Sequence, residues 1–496
     1  MTAAPPALPA KIHPLVRAYL DTPGAVADTV RRFGSPVHLL FPQVFAENLG
    51  RFRALLEQRL PGHRICYAHK VNQSQAFVRT AERAGIAVDV ASPQELASAA
   101  GAGFGPMRIE VTGPKGEVFL RDLIARGVTI NVDNLWELRR IVELTEPHAA
   151  VPVLLRVSGF HDAQVSRFGV PLSAVAAAFE LLCAHQDRIT LLGFAFHLDS
   201  GDAGERVRAI DACLSLIEES YARGLTPSVV DIGGGFRQVF TADADRFDEY
   251  VQALRDALLG LRAPMSWGNN TFGYHVANGA VHGIPVFHKY ANTVPATALL
   301  EDVLGAALER HGGRTVAEVL SDNLLDMWLE PGKALADHAG VTVAEVEFVK
   351  EIADGSVLVH VDLSRDCVTP ADQEVMVDPV ILPGDGRTIT ESAPAGVYFA
   401  GRLCLERDLI TNHLVWPADR PRPGDLVVFP NTAAYHMDLS AASASMHPRP
   451  SKLVVTYDDN DFRVCHDAEY QPAPTHHTPP LASRPPSAPR HSTEAR

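Results

Sequence analysis

Short apolar runs alternate with amphipathic stretches along residues 60–260. Each run ends at a polar residue or a glycine, and the stretch behind it has one apolar face at helical spacing. The runs predict strands at 64–68, 86–90, 109–112, 128–132, 152–157, 191–197 and 229–232. Helices are predicted at 73–84, 93–100, 134–144 and 205–223, with starts at Ser92 and Asp133–Asn134. This alternation indicates βαβ units around a parallel sheet.

An eighth apolar run at 327–329 completes the set that a (β/α)8 TIM-like barrel requires. A doubly wound open sheet is the alternative, because periodicity alone does not separate the two folds. After about residue 340 the pattern changes to β-like runs split by Gly, Pro and Asp turns. These runs cover 341–348, 357–363, 396–400, 426–429 and 453–457. They predict a second, mainly antiparallel β domain.

The pattern divides the chain into four parts. We expect an N-terminal extension at 1–36, a barrel at 37–335, a β domain at 336–470 and a disordered, Pro/Ser/Thr/His-rich tail at 471–496. The run at 37–41 fits either domain. The barrel carries a long insertion at about 240–326, and its aromatic residues, such as Trp267 and Tyr274, favour a lid or a wall of a site over disorder.

Composition narrows the class of protein. Hydrophobic residues make up 46% and charged residues 21% of the 496 residues, which is typical of a globular protein, and no apolar run has membrane-spanning length. The net charge of −15 argues against nucleic-acid and anionic-membrane partners. Six scattered cysteines without zinc spacing predict a reduced, cytoplasmic chain, and no His/Asp/Glu set shows metal-ligand spacing.

Four groups stand at the C-terminal ends of predicted strands, where barrel enzymes carry their chemistry. Lys70 offers an amine that can form a Schiff base with an aldehyde cofactor, and Gly233–Gly235 offer backbone N–H groups to a phosphate. Glu330 can pair with a protonated pyridine nitrogen, and His197 offers a flat ring. Each alone has a plainer explanation, as a rim lysine, a tight turn, a surface turn or a core histidine. Together, on one barrel face, they form a complementary set.

From about residue 37 to residue 470 the chain resembles the fold type III pyridoxal-phosphate decarboxylases, the group of diaminopimelate, ornithine and arginine decarboxylases. That group has an alanine-racemase-like barrel followed by a β domain. Eight motifs recur in the family's order, which makes the resemblance specific. They are 67–70, 88–92, 166–169, 197–200, 233–235, 330–332, the pair Cys404 and Asp408, and 434–435.

The resemblance implies a role for each site residue. Lys70 would hold pyridoxal 5'-phosphate as an internal aldimine, His197 would stack on its ring, and Glu330 would pair with its nitrogen. The other residues expected at the cofactor are Asp89 and Arg156 as braces, Ser200, Gly234, Gly235 and Tyr435 at the phosphate, and Gly332 with Lys333.

The resemblance also implies a homodimer with shared active sites. Cys404 of the partner subunit would protonate the carbanion left after carbon dioxide departs. Arg402, Glu406 and Asp408 are the expected substrate-binding residues.

Three positions depart from the family pattern. Lys333 stands where the family usually has Arg, which removes the bidentate fork, and Asp199 replaces the usual Gly. Leu405 follows Cys404 where diaminopimelate and ornithine decarboxylases have an acidic residue, and Glu406 comes one position later. These departures indicate a divergent member with a different amino-acid substrate. Arg402 and the histidines of the insertion, His275, His282 and His288, would meet its distal carboxylate or polar group.

Amino-acid decarboxylation is the leading hypothesis. A racemase or epimerase on the same scaffold is the second, and it needs a base opposite Lys70, such as a tyrosine or Cys404. A non-catalytic regulator is the third, but such members typically lose cofactor residues, and Lys70, His197, Glu330 and Tyr435 are present here. A metal-dependent barrel hydrolase lacks ligand spacing.

Overall fold

The computed structural model describes residues 6–160, 166–241, 243–369, 375–384, 386–387 and 395–473. Most of the predicted disordered tail, from residue 474 on, lies outside the described residues. None of the described helices is both long enough and apolar enough to cross a membrane.

The described chain forms helices and strands in the following order. The helices are α1 (Pro14–Asp21), α2 (Ala25–Phe33), α3 (Pro42–Arg59), α4 (Gln75–Arg83), α5 (Pro93–Ala102), α6 (Glu117–Arg126), α7 (Leu135–Leu144), α8 (Val175–Ala184), α9 (Ala203–Ala222), α10 (Ala244–Leu258), α11 (Ala296–Gly305) and α12 (Val316–Asp322). The strands are β1 (Val37–Leu40), β2 (His63–Ala68), β3 (Ala87–Val90), β4 (Ile109–Val111), β5 (Thr129–Val132), β6 (Val151–Ser158), β7 (Val170–Pro171), β8 (Ile189–Ala195), β9 (Val229–Asp231), β10 (His275–Ala277), β11 (Ala280–His282), β12 (Ala307–Leu308), β13 (Arg314–Thr315), β14 (Asp326–Leu329), β15 (Gly340–Glu351), β16 (Val357–Val361), β17 (Val380–Leu382), β18 (Val397–Ala400), β19 (Leu426–Phe429), β20 (Ser451–Asp458) and β21 (Asp461–His466).

Eight parallel strands close into a barrel. Their order is β5, β4, β3, β2, β14, β9, β8 and β6, and β6 pairs back to β5. The closing pair rules out the doubly wound open sheet and confirms the predicted (β/α)8 barrel. Since all eight strands run the same way, their C-terminal ends share one face of the barrel.

The local sequence explains where helices start behind barrel strands. Directly after β3, the Ser92 side chain accepts the Glu95 N–H and caps α5. After β5, Asn134 caps α7 in the same way by accepting the Glu137 N–H. Both predicted helix starts are therefore confirmed, because a polar side chain at the N-cap satisfies a free backbone donor.

The second sheet is mainly antiparallel and is built from β17, β19, β15, β1, β20 and β21, with β16 and β18 extending it through β15. Strand β1 pairs antiparallel with β15 and parallel with β20. The predicted boundaries assigned Val37–Leu40 to the barrel, and this placement was wrong. A four-residue run that is buried throughout looks the same in either sheet, so only its pairing decides.

The long insertion is folded, and its two halves pack in different places. Helix α10 joins a core shared with the β domain, in which Phe247 and Leu254 lie with Val359 and Phe399. Helix α11 packs on α3 and α9 of the barrel's outer layer. Between them stand the hairpin of β10 with β11 and a short 3-10 helix, His288–Ala291.

Candidate active site

Two adjoining cavities open at the C-terminal ends of the barrel strands. The first has a volume of about 580 Å³ and the second about 280 Å³. Four side chains line both cavities: Lys70, His197, Asp199 and Glu330. Arg156 lines the first cavity only. The second is further lined by Gly234, Gly235, Arg237, Lys289, Gly332, Lys333 and Tyr435. The site thus gathers most of the residues that sequence reasoning selected.

Lys70 stands in a short 3-10 turn directly after β2. Its Nζ lies 3.4 Å from the carboxylate of Asp89 on β3, which also accepts the Thr112 hydroxyl at 2.7 Å. Burial alone would lower the pKa of Lys70, but the carboxylates of Asp89 and Glu330 outweigh burial and raise it above its usual value. The surroundings therefore stabilise a positive charge on this nitrogen.

His197 follows β8 and presents a neutral ring to the cavities. Its Nδ1 accepts the Gly234 N–H at 3.3 Å. Burial, together with the nearby charges of Lys70 and Arg156, lowers the pKa of His197 to about 3. The imidazole is therefore uncharged at neutral pH and can pack against a flat aromatic ring.

The three glycines after β9 are required by close backbone approaches. A Cβ on Gly233 would lie 2.4 Å from the Phe196 carbonyl oxygen, and one on Gly234 would lie 2.5 Å from the Glu330 carbonyl oxygen. On Gly235 it would lie 1.9 Å from the Leu198 carbonyl oxygen. Only glycine lets the loops that follow β8, β9 and β14 converge here.

A cluster of three buried carboxylates lies below the cavities. Glu110 on β4, Asp231 on β9 and Glu330 after β14 place carboxylate oxygens within 4.8 Å of one another. Burial, then mutual repulsion, raises the pKa of Glu110 and of Glu330 well above the usual range, and burial raises that of Asp231 to about 6. Like charges at this spacing cannot all ionise, so the cluster demands a proton or a cationic partner.

Sequence reasoning missed Glu110, Arg237 and Lys289. Glu110 left one signal, a single charge in the apolar run 109–112. The carboxylate cluster is also the one group in the described ranges whose atoms lie close enough for a metal ion. Spacing along the sequence did not reveal it, because its members come from two strands and the end of a third that are far apart in the chain.

The expected substrate-binding residues and the expected proton donor, Cys404, lie elsewhere in this chain. Arg402, Cys404, Glu406 and Asp408 follow β18 of the second sheet, and none of them is among the residues that line the two cavities. The Asp408 carboxylate accepts the backbone N–H groups of Arg365 at 2.7 Å and Leu403 at 2.8 Å, so it ties its own loop to the loop after β16. Cys404 is exposed. Ser200 accepts the Asp202 N–H and does not line either cavity.

Comparisons with known proteins show which family this chain resembles. Residues 48–265 match the family model "Pyridoxal-dependent decarboxylase, pyridoxal binding domain". An uncharacterised protein of Sinorhizobium fredii is 33% identical over 87% of this chain and 90% of its own. The diaminopimelate decarboxylase of Bacillus subtilis is 25% identical over 86% and 87%.

Solved structures show the same fold. Diaminopimelate decarboxylase from M. jannaschii, in complex with L-lysine, superposes with a TM-score of 0.64 at 16% identity, over 92% of this chain and 94% of its own. The lysine/ornithine decarboxylase of Vibrio vulnificus, complexed with cadaverine, gives 0.62 at 21% identity, over 90% and 99%.

The chain belongs to the fold type III pyridoxal-phosphate-dependent decarboxylases, the family of the diaminopimelate, ornithine and arginine enzymes, as a divergent member. Its cofactor is pyridoxal 5'-phosphate.

The residues present fit that cofactor. Lys70 offers an amine beside a cavity, and the neutral His197 ring offers an apolar face. The carboxylate cluster around Glu330 matches a protonated ring nitrogen, which would supply the positive charge that the cluster demands.

Proposed function

We propose that this protein decarboxylates an amino acid with pyridoxal phosphate held covalently by Lys70, and that the partner subunit's Cys404 donates the final proton. The observation that supports this most directly is the contact between Lys70 and the buried carboxylate of Asp89, beside Glu330, at a cavity at the strand ends. When bound, the cofactor supplies an electron sink for the pair left at Cα after the carboxylate departs.

The chain's own residues have separable tasks in this proposal. Asp89 holds the Lys70 amine in place and keeps positive charge favourable at its Nζ. Glu330 would keep the cofactor's ring nitrogen protonated. Its carboxylate lies beside those of Asp231 and Glu110, and three buried acidic groups are costly to ionise without a positive charge nearby. His197 orients the ring by packing, since a neutral imidazole adds no competing charge.

Arg156 and Tyr435 brace the site from two sides. The Arg156 guanidinium lies over the Phe168 ring at 4.8 Å and 3.7 Å from the Asp133 carboxylate. Tyr435 donates its backbone N–H to the Val71 carbonyl at 2.8 Å and has a φ of 67°. A tyrosine adopts this left-handed backbone conformation only where its surroundings impose it, and such residues are typical of binding sites.

The proton donor supports a shared site between two subunits. Reprotonating Cα requires an acid within reach of the cavity. Cys404 is exposed on a loop of the second sheet and lines neither cavity of its own chain. A homodimer in which each subunit offers this loop to the other's barrel accounts for both facts.

The substrate in this proposal is an amino acid without a distal ammonium group. Leu405 is exposed where the usual acidic residue would stand, and the Asp408 carboxylate is already engaged by two backbone N–H groups. Both neighbours of Cys404 in the chain are leucines, so a carboxylate is absent from the position that usually binds a second amine. Arg402 on the same loop favours a polar or anionic side chain.

The test is turnover by the purified protein with pyridoxal phosphate in deuterated water. A panel of L- and D-amino acids is supplied, and products are identified by mass and chirality. We expect an amine that lacks the carboxylate and carries deuterium at Cα. Lys70→Ala should abolish it, a loss of at least about 10³-fold for removal of a covalent nucleophile, whereas Lys350→Ala, at an exposed lysine of β15, should not.

Two outcomes would contradict the proposal. Deuterium at Cα with the carboxylate retained would make the protein a racemase. Borohydride reduction that attaches no cofactor to Lys70 would remove the covalent step. A Cys404→Ser variant that keeps full turnover would reject the proton donor alone.

A further inference from the structure

Two of the three departures from the family pattern, Asp199 and Lys333, meet in one place. Asp199, which stands where the family has glycine, contacts two lysines with its carboxylate. One oxygen lies 2.5 Å from Nζ of Lys289 in the insertion, and the other lies 2.5 Å from Nζ of Lys333 after β14. These three residues form the lysine–aspartate cluster. One arrangement therefore joins the unusual acidic residue Asp199, the lysine at the family's arginine position, Lys333, and the insertion, through Lys289.

The segment that carries Lys289 is anchored on both sides. Tyr290 is buried, its ring centroid lies 4.2 Å from that of Phe240, and its hydroxyl lies 3.3 Å from Nε2 of His436. Asn292 donates to the Gln238 carbonyl at 2.8 Å. The insertion is thus fastened to the loop that follows the three glycines and to the loop of Tyr435. Lys289 is consequently fixed to the wall of the site.

The lysine–aspartate cluster lies beside the loop of Gly233–Gly235, here called the glycine loop. Its three members line the second cavity together with Gly234, Gly235, Arg237 and Tyr435. A Cβ on Gly201 would lie 2.9 Å from Nη1 of Arg237, which places this guanidinium next to Ser200. The Arg237 Nε–H is buried and has no hydrogen-bond partner within the described part of the chain. A third cation therefore borders the same space.

The charges match a phosphate monoester. Lys289, Lys333 and Arg237 contribute three positive charges, and Asp199 removes one. Lys70 and Glu330 also line this cavity but have other partners, since Lys70 lies 3.4 Å from Asp89 and Glu330 belongs to the carboxylate cluster. The net of two positive charges equals the nearly two negative charges of a phosphate monoester at neutral pH.

We propose that Lys289 of the insertion binds the phosphate of the cofactor, and that Asp199 is a positioning residue that holds the Lys289 and Lys333 amines beside the glycine loop. The ligand class is a phosphate monoester dianion. The two lysines together replace the arginine fork that this chain lacks. The inference rests on the proposed function, because it takes the cofactor to be bound at Lys70.

The test compares release of two cofactors that differ only in the phosphate. The wild type, Lys289→Gln, Lys289→Arg and the exposed control Lys350→Gln are each loaded with pyridoxal phosphate or with pyridoxal. Release after dilution is followed by the absorbance of the protein-bound cofactor. We expect Lys289→Gln to release pyridoxal phosphate at least about tenfold faster, the effect of one charge-assisted hydrogen bond. Release of pyridoxal should be unchanged.

Lys289→Arg keeps the charge and should stay within about threefold of the wild type. Inorganic phosphate should slow the uptake of pyridoxal phosphate by wild type more than by Lys289→Gln. Equal acceleration for both cofactors would mean that Lys289 is merely structural, and unchanged release would reject the inference while leaving the proposed function intact. A wild type that captures no cofactor on Lys70 would contradict both.

Discussion

The Lys70–Asp89 pair and the lysine–aspartate cluster place the same functional groups in different surroundings. The Asp89 side chain is 0% exposed and lies 3.4 Å from Nζ of Lys70, whose side chain is 33% exposed. The Asp199 side chain is 40% exposed and lies 2.5 Å from each of its lysines. Solvent reaches the carboxylate of the shorter contacts and screens them, whereas the carboxylate of the longer contact is shielded from solvent. Distance alone therefore does not rank ion pairs, and we expect the buried pair to matter more to catalysis and the exposed cluster more to ligand affinity.

The largest effect should follow from removing the buried charge. Asp89→Asn keeps an acceptor for Thr112 but leaves Lys70 without its nearest carboxylate. We expect turnover to fall about 10³-fold, within the range for a misplaced proton-transfer group, and the pKa of the Lys70 nitrogen to fall. A pH titration of the bound-cofactor absorbance measures that shift. Asp122→Asn, at an exposed ion pair of α6, is the control, and equal behaviour of the two variants would refute the ranking.

The loop of Gly233–Gly235 borders the same cavity as the lysine–aspartate cluster, and its packing can be tested directly. In Gly235→Ala the Cβ would meet the Leu198 carbonyl oxygen at a residue with a φ of +76°. We expect the free energy of unfolding to drop by about 3 kcal/mol, as is typical where backbone strain and a clash combine. Gly279→Ala has a similar φ of +72° in open space, and it should cost only about 1 kcal/mol. Chemical denaturation of both variants gives the difference, and equal losses would mean that the close approach is unimportant.

His436 contacts Tyr290, the neighbour of Lys289 in the chain, and it should make the stability of the protein depend on pH. Burial lowers the pKa of His436 from 6.5 to about 4, so the folded protein binds this proton less readily than the unfolded chain. The contribution of His436 to stability is complete above about pH 6.5 and falls as the pH drops toward 4, by about 1.4 kcal/mol per pH unit.

The check is the free energy of unfolding measured across that window. His436→Gln should show the shallower slope, and His275→Gln, at an exposed histidine of the hairpin, should keep the wild-type slope. Parallel slopes for all three proteins would contradict the burial of a neutral His436.

The smallest effect on stability should come from Asp199. Because the ion pairs of Asp199 are partly exposed, Asp199→Asn should change the free energy of unfolding by no more than about 1 kcal/mol, and less at high salt. Thermal unfolding without cofactor, at low and high salt, measures this. A loss of several kcal/mol would show that the cluster holds the insertion in place, and the distinction from the buried pair would fail.

Most of the barrel and the centre of the site were predictable from local pattern. Strand alternation placed Lys70, His197, Gly233–Gly235 and Glu330 at strand ends, and parallel strands bring such ends to one face of a sheet. Alternation did not distinguish a closed barrel from an open sheet, because closure depends on one pairing, β5 with β6. The remaining domain boundaries, the roles of the site residues and the homodimer stay predictions.

By itself, the sequence determined the order of elements, their caps and the chemistry offered at each strand end, because these depend on neighbours a few residues away. Only the tertiary structure decided that β1 joins the second sheet and that Glu110 meets Asp231 and Glu330. It also decided that Lys289 contacts Asp199, 90 positions earlier in the chain. Such contacts depend on how separately folded segments pack, and no local periodicity records which residues that packing brings together.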